Sequence, residues 1–410
     1  MPTVFLGGTL IDGTGAPPVR DAAVVVDGER LAYVGPARGA PLPQGARVLR
    51  VEGKTLMPGM VDAHIHLCGE TEFNPRGAVA ELIPDNAMLG AANARALLEA
   101  GFTACRDLGA LGYANVALKQ AIERGLLPGP RVVACGEMVL AAGSGEDDYY
   151  RPEIPFPRTG VFSGPEEARR AVRLQLYHGA GVIKLIASGR VGSSAPSGPA
   201  DTEVTAEEAR AVVDEAHRRG VKVAAHCYAP EAVRLCVEAG VDSIEHGTLI
   251  DEPTMALMAE RGTFLVPTLS AFAKYFAPGA EERFPPYRIQ RGRAVAGPQR
   301  QRFPTYLKYG IRMATGTDGV NPGTLPGDAA QELALMVELG ATPMQAIVAA
   351  TRNGADLLGL LERTGTLEAG KLADLIVVDG DPLADITVLR DRRRIPLVMK
   401  GGQPVRDALG

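Results

Sequence analysis

Eight short apolar runs alternate with helical stretches through the middle of the chain, and this alternation restricts the possible folds more than any other feature. The runs are rich in branched residues, as buried strands are. They occupy residues 60–66, 102–109, 131–140, 182–188, 221–226, 242–247, 263–269 and 311–318. Because strands that alternate with helices form parallel sheets, we predict an α/β fold with a (β/α)8 TIM-like barrel over residues 57–364.

Helix-start signals between the runs support this interpretation. Ser163, Thr205 and Thr342 each have Glu or Gln three residues later, which is the spacing of a capping box, and Pro343 suits a first helical position. An open doubly wound sheet would show the same alternation. No glycine-rich nucleotide loop follows the first run, so the barrel is favoured.

The two ends of the chain differ from the middle. Residues 1–56 and 365–410 contain short strand-like runs broken by Gly and Pro, with a tight hairpin predicted at Asp27-Gly28. Chain termini often lie close together. We therefore expect one small β-sandwich domain that is assembled from both termini.

Charge and cysteine content exclude several classes of protein. A net charge of −5 argues against nucleic-acid binding, and the basic run at 390–394 is expected to edge a solvated strand. Five cysteines without a CxxC pair suggest reduced thiols rather than a disulfide framework. The sequence shows neither a signal-peptide pattern nor an apolar run of about 18 residues, so we expect a cytoplasmic protein without membrane contact.

Lys184 is the most unusual residue of the predicted strands, because it interrupts the apolar sequence "GVIKLIASG". Burial of an ammonium ion is costly. Lys184 could lie near the strand end and reach solvent or a carboxylate, or it could be neutralised inside the fold.

Other polar residues fall at the ends of the same strands, where barrel enzymes carry their active sites. His178 and His217 lie on predicted helices, whereas the other four of the six histidines close strands. Imidazole and carboxylate groups are natural ligands for zinc and similar ions. The strand-end candidates are His64, His66, His226, His246 and Asp318.

A role for Lys184 follows from this grouping. An amine that is desolvated beside divalent cations loses its proton readily. The neutral amine can add to carbon dioxide and form a carbamate, whose two oxygens could each bind one metal ion. The costly cation would then become a bridging ligand.

Several motifs together resemble the amidohydrolase superfamily, and within it the imidazolonepropionase-related branch of prolidase-like dipeptidases, N-acyl amino acid hydrolases and ochratoxin-hydrolysing enzymes. The motifs extend over nearly the whole chain. They are "PGMVDAHIHL" (58–67), the lysine of the fourth strand, "AAHCYAPEAV" (224–233), "AGVDSIEHG" (239–247), "GTD" (316–318) and "LEAGKLADLIVVDGDP" (367–382).

The resemblance implies a site with two divalent metal ions, with zinc as the expected metal. His64, His66 and Asp318 would bind the more buried ion, His226 and His246 the second, and carboxylated Lys184 both. The family pattern implies attack by a metal-bridging hydroxide on an amide carbonyl, with Asp318 as the catalytic acid–base group. The expected substrate is a dipeptide or an N-acyl amino acid.

Three further residues are candidates for substrate binding. Tyr228 matches a tyrosine that approaches the substrate in this branch. Ser144 stands where dipeptidase-like relatives often carry a histidine, and Arg190 stands where they often carry a second glycine. Arg190 could anchor a carboxylate or belong to a surface loop.

Alternatives remain open at the level of the sequence. A cyclic-amide hydrolase like imidazolonepropionase would share the motifs, and a mononuclear deaminase of the superfamily would use one ion and no lysine bridge. A non-enzymatic protein on this scaffold would lack some ligands, whereas all six are present. The resemblance also implies a homo-oligomer.

Overall fold

The computed structural model describes residues 1–69, 82–144, 159–192, 197–320 and 323–409, and these ranges hold seventeen strands. The strands are β1 (Thr3–Leu10), β2 (Val19–Asp27), β3 (Arg30–Pro36), β4 (Arg47–Arg50), β5 (Thr55–Pro58), β6 (Met60–Ile65), β7 (Phe102–Asp107), β8 (Arg131–Ala134), β9 (Val139–Ala141), β10 (Val161–Phe162), β11 (Val182–Ile186), β12 (Lys222–Cys227), β13 (Ser243–His246), β14 (Phe264–Val266), β15 (Leu375–Val378), β16 (Leu397–Lys400) and β17 (Gln403–Asp407).

Helices separate the strands of the middle region. They are α1 (Ile83–Glu99), α2 (Ala114–Glu123), α3 (Pro165–Tyr177), α4 (Ala206–His217), α5 (Pro230–Ala239), α6 (Glu252–Arg261), α7 (Leu269–Ala273), α8 (Ala280–Arg283), α9 (Pro286–Lys308), α10 (Gln331–Glu338), α11 (Pro343–Val348) and α12 (Gly354–Leu357). Within the described ranges, none of these helices has both the length and the apolar character that a membrane crossing requires.

Two of the three predicted capping boxes are confirmed. Thr205 caps α4 with Glu208, and Thr342 caps α11 with Gln345. The prediction for Ser163 is wrong. The N-cap of α3 is Gly164, and the backbone N–H of Ser163 donates to Glu167 one position further along.

Parallel strands of the middle region form two sheets. One has the order β6-β7-β8, and the other has the order β10-β9-β11-β12-β13-β14. The N–H of Gly181 donates to the carbonyl of Ala134 at 2.8 Å and so joins the end of β8 to the start of β11. The α/β class is therefore confirmed.

The segment 311–319 lies between β14 and β6, but it is not a regular strand. Isolated parallel bridges connect Met313 to Leu265 and Gly319 to Ile65. Threonine hydroxyls replace part of the backbone ladder, since Thr315 donates its Oγ1–H to the carbonyl of Val61. The predicted eighth strand is thus reduced to two bridges.

The predicted strand at 131–140 is also divided. Gly136 has a φ of 75° and separates β8 from β9. Such a left-handed backbone cannot continue a strand.

Both ends of the chain contribute to one eight-stranded sheet. Its order is β17-β16-β15-β5-β1-β2-β3, and β4 pairs with β1. The predicted hairpin is confirmed, because Asp27 pairs with Arg30 across a two-residue turn and Gly28 has a φ of 57°. A separate apolar cluster from both termini, which includes Phe5, Val24 and Leu375, fills one side of this sheet.

The basic run at 390–394 does not edge a strand. It lies on two 3-10 turns, Ile386–Arg390 and Arg392–Arg394, and three of its four arginines pair with acidic side chains. Arg390 binds Asp328 at 2.7 Å, and Arg392 contacts Glu99. These arginines have local structural partners.

Candidate metal centre and active site

Strand β6 and the residue that follows it carry three polar residues on one face, because alternate residues of a strand point to the same side. They are Asp62, His64 and His66. Asp62 accepts hydrogen bonds from the N–H of Thr317 at 3.1 Å and from its hydroxyl at 2.7 Å. Burial raises the pKa of Asp62 to about 7. Asp62 thereby ties β6 to the segment that carries Asp318.

His64, His66 and Asp318 form a compact cluster of metal-ligand types. Oδ1 of Asp318 lies 3.4 Å from Nε2 of His64 and 3.2 Å from Nε2 of His66. The three ligand atoms lie within 4.8 Å of one another. Burial alone would raise the pKa of Asp318, but the neighbouring imidazoles outweigh it and hold the pKa well below its usual value. The carboxylate is therefore available as a ligand.

Hydrogen bonds at Nδ1 orient three of the imidazole rings, and Nε2 lies on the other side of each ring. Ligand histidines in metalloproteins are commonly held in this way. The partners of Nδ1 are Glu245 Oε2 for His64 (2.8 Å), the Gly109 carbonyl for His66 (3.1 Å) and the Thr268 hydroxyl for His246 (2.7 Å).

The partner of His64 belongs to a buried polar network. Glu245 Oε1 accepts from Arg106 Nη2 at 2.7 Å and from the hydroxyl of Ser243 at 2.6 Å. Burial alone would raise the pKa of Glu245, but Arg106 holds it well below its usual value. Glu245 could not be predicted from the sequence, since strand alternation would point it away from the neighbouring His246. A left-handed backbone at His246, with a φ of 71°, changes that alternation.

Lys184 lies in the middle of β11 and not at a frayed end. It pairs with Ala224 of β12 and is 2% exposed. Its Nζ lies 3.3 Å from Nε2 of His64. Burial lowers the pKa of the Lys184 ammonium group. The lysine therefore points toward the cluster on β6 and does not reach solvent.

His226 and His246 line the same cavity from the ends of β12 and β13. Their ring centroids lie 4.7 Å apart, and that of His246 is 5.1 Å from His64. Burial lowers the pKa of both imidazoles well below the usual value, so both are neutral. Neither belongs to the compact cluster found among the described residues. Nε2 of His226 lies 3.4 Å from the Gly189 carbonyl.

Above these groups the cavity has a volume of about 650 Å³, including its open mouth. The predicted residues that line it are His64, His66, Lys184, Arg190, His226, Tyr228, His246 and Asp318. Ser144 is buried, but it is not among the described residues of the lining, and the adjoining 145–158 lie outside the described ranges.

The wall of the cavity that faces the strand ends consists of residues that could not be identified from the sequence. Phe272, Lys274, Tyr275 and Arg288 lie in or after α7 and at the start of α9. No local motif marks this region as functional. Its only signal is its position after the seventh strand, where barrel enzymes place active-site loops.

Buried polar groups hold this wall against the strand ends. Glu332 accepts from the N–H groups of Leu269 and Ser270, both at 2.8 Å, and so fixes the start of α7. Gln299 donates to the carbonyls of Pro267 and His246. These contacts surround Thr268, which has a φ of 49°, rare for a β-branched residue.

The donor set fits divalent metal ions. The histidines are neutral or are oriented by hydrogen bonds to neighbouring groups, as His64 is by Glu245. Asp318 is ionised, and the buried Lys184 lies beside them. Among the described residues, His64, His66 and Asp318 already have the geometry of a three-ligand group. The arrangement can therefore support metal-assisted hydrolysis.

Comparison with known proteins gives a consistent result. Residues 55–405 match the amidohydrolase family. The chain is 33% identical to an ochratoxinase of Aspergillus niger, over 98% of this chain and 86% of that protein. It is 28% identical to an imidazolonepropionase of Rhizorhabdus wittichii, over 91% and 92% of the two chains.

A solved structure gives the same result. A Xaa-Pro dipeptidase with methionine bound in its active site superposes with a TM-score of 0.92 and 32% identity. The superposition covers 98% of this chain and 99% of the other.

Proposed function

Because the chain belongs to the amidohydrolase family and hydrolyses amide bonds, we propose that it cleaves dipeptides or N-acyl amino acids with a free C-terminal carboxylate, using two divalent metal ions. The main support is one cavity in which Asp318 and four imidazoles lie opposite a wall that carries arginine and tyrosine. The similarity to a Xaa-Pro dipeptidase and to an ochratoxinase supports the same reaction class.

We propose zinc as the metal and the following distribution of ligands. His64, His66 and Asp318 would hold one ion, and His226 and His246 would hold the other. Lys184 lines the same cavity and would contribute to holding both. Its neutral amine adds to carbon dioxide, so that a new N–C bond forms and one proton is released. Burial of Lys184 supports this step because it lowers the pKa of the ammonium group.

When bound, the ions would make a water nucleophilic at neutral pH and polarise the scissile carbonyl. The chain itself supplies the proton transfer. Asp318 accepts the proton of the attacking water at its carboxylate and delivers it to the leaving nitrogen. Glu245 and Thr268 keep the imidazoles of His64 and His246 in the orientation that this geometry requires.

Arg190 and Tyr228 are the proposed anchors for the substrate carboxylate. Arg190 comes after β11, the strand that carries Lys184, and lines the cavity. Tyr228 comes two residues after His226, and the centroids of these two rings are 4.5 Å apart. The N–H of Tyr228 donates to the Ser188 hydroxyl at 3.0 Å, which joins the two segments. A guanidinium group can pair with a carboxylate through two parallel hydrogen bonds.

We also propose that the parallel strands close into the (β/α)8 barrel over 57–364. The bridges through 311–319 and the bond between Gly181 and Ala134 support this closure. The sheet from both termini, over 1–56 and 365–410, would be the separate β-sandwich domain.

Replacement of Arg190 by methionine tests the proposed substrate class. We expect Arg190→Met to lower kcat/KM about tenfold or more for a dipeptide with a free carboxylate, but to change it little for the C-terminally amidated peptide. The measurement is hydrolysis of a library of dipeptides and N-acyl amino acids, each paired with its amide. Arg210→Met on the exposed face of α4 is the matched control. Equal losses on acids and amides would contradict the anchor role, and no hydrolysis by wild-type protein would contradict the proposed function.

A further inference from the structure

Strand β13 ends in a tight three-residue turn. The N–H of Gly247 donates to the carbonyl of Glu245 at 3.0 Å, and His246 between them has a φ of 71°. This is the rare and strained form of the γ-turn, because a side chain at positive φ crowds its own backbone. Contacts from outside the strand are therefore needed to hold His246 in this conformation.

The turn directs two consecutive side chains to the same ring. Oε2 of Glu245 lies 2.8 Å from Nδ1 of His64, and the ring centroid of His246 lies 5.1 Å from that of His64. Consecutive residues of an extended strand point to opposite faces, so a regular end of β13 would present only one of the two. The left-handed backbone at His246 thus gives the site both groups.

Two buried side chains of α9 hold the carbonyl groups of this turn. Nε2 of Gln299 donates to the carbonyl of His246 at 2.9 Å, and the hydroxyl of Tyr306 donates to that of Gly247 at 2.9 Å. Gln299 and Tyr306 lie seven positions apart, which places them on one face of the helix. They are 1% and 0% exposed, so solvent does not compete for these carbonyls.

Gln299 also reaches the residue that orients the ring of His246. Its Nε2 donates to the carbonyl of Pro267 at 2.6 Å, directly before Thr268, which has a φ of 49°. The hydroxyl of Thr268 lies 2.7 Å from Nδ1 of His246. One amide group therefore supports the backbone of His246 and, through Thr268, the orientation of its ring.

We propose that Gln299, together with Tyr306, is a positioning residue that holds the strained turn, so that His246 faces the metal cavity while Glu245 binds His64. The inference rests on the proposed function for the role of His246 as a ligand. Without these donors the buried carbonyls lose their partners, and the turn relaxes toward an extended strand. Either the imidazole of His246 then leaves the cavity, or Glu245 leaves His64.

Gln299→Met tests the inference on metal-free protein, because methionine has a similar length but donates no hydrogen bond. In a crystal structure of this variant we expect His246 to leave the left-handed region and to lose its contact with Thr268. Gln301→Met, on the exposed side of the same helix, is the matched control and should leave the turn unchanged.

Tyr306→Phe removes one hydroxyl, should shift the turn in the same direction, and decides the question if Gln299→Met does not fold. A wild-type turn in Gln299→Met, or in Tyr306→Phe if only that variant folds, would overturn the inference.

Zinc binding extends the test to the site itself. When zinc is titrated into metal-free protein against a competing chelator, Gln299→Met should bind one of the two ions about tenfold or more weakly and the other as wild type does. Val212→Ala, in the buried face of α4, lowers thermal stability without touching the turn and should keep both affinities. Equal affinities in wild type and Gln299→Met would overturn the inference. Fewer than two ions in wild type would contradict the proposed function, and the crystal structures would still decide the inference.

Discussion

Replacement of Lys184 by alanine is expected to remove one or both metal ions and to lower kcat by at least about 100-fold. The reason is its location, since the buried amine lies 3.3 Å from Nε2 of His64 and faces the proposed ligands. Alanine supplies no ligand and leaves space beside the imidazoles. A small carboxylic acid or bicarbonate can enter this space, so acetate or bicarbonate should restore part of the activity. Metal content and kcat, measured with and without these acids, check the prediction.

The matched control is Lys222→Ala in the neighbouring strand β12. Lys222 donates to the Asp356 carbonyl at 2.7 Å and is not part of the cavity lining, so this variant should keep its metal ions. Circular dichroism and the thermal midpoint establish whether each variant is folded. Full activity of Lys184→Ala would contradict the bridging role. An unmodified Lys184 in a metal-loaded, high-resolution crystal structure would contradict it equally.

Replacement of Asp318 by asparagine should leave the fold intact and lower kcat by about 10²–10⁴-fold, the usual contribution of a general acid–base group. Asp318 has a left-handed backbone with a φ of 50°, which asparagine tolerates well. The amide has nearly the same shape but cannot accept the proton of the attacking water. Asp214→Asn on the exposed side of α4 is the control.

The informative sample is Asp318→Asn protein that still contains its metal ions, because loss of an ion would lower the rate by itself. Turnover and metal content should therefore be measured on the same preparation. A fully loaded variant with wild-type turnover would assign the proton transfer to another residue.

Part of the candidate site could be predicted from the sequence, because the positions of His64 and His66 follow from strand periodicity. His64 on β6 and His66 just after it are two residues apart, and in the structure both lie beside Asp318. Lys184 stood out because a charged residue within an apolar strand requires a partner. The alternation of strands and helices likewise indicated the α/β class.

Features that depend on local backbone geometry could not be predicted. Glu245 faces His64 although it neighbours His246, because the left-handed backbone at His246 breaks the alternation. The run at 311–318 is predicted to be a strand, but the segment has only isolated bridges to β14 and β6, and the hydroxyl of Thr315 adds a bond to the carbonyl of Val61.

The wall of the cavity could not be predicted for a different reason. Lys274 follows the short helix α7, Arg288 lies fourteen positions later near the start of α9, and only tertiary contacts bring both to the cavity. Glu332, more than forty residues beyond Arg288, fixes the first of these segments. Sequence periodicity contains no information about contacts of this range.

The metal content of the purified protein tests the central proposal most directly. Protein prepared without chelators, supplied with zinc and bicarbonate and then freed of unbound metal, should contain about two zinc ions per chain by elemental analysis. The same protein should lose activity when the ions are removed by a chelator and regain it when they are returned. One ion per chain, or full activity without any, would contradict the two-metal hydrolase proposed for this cavity.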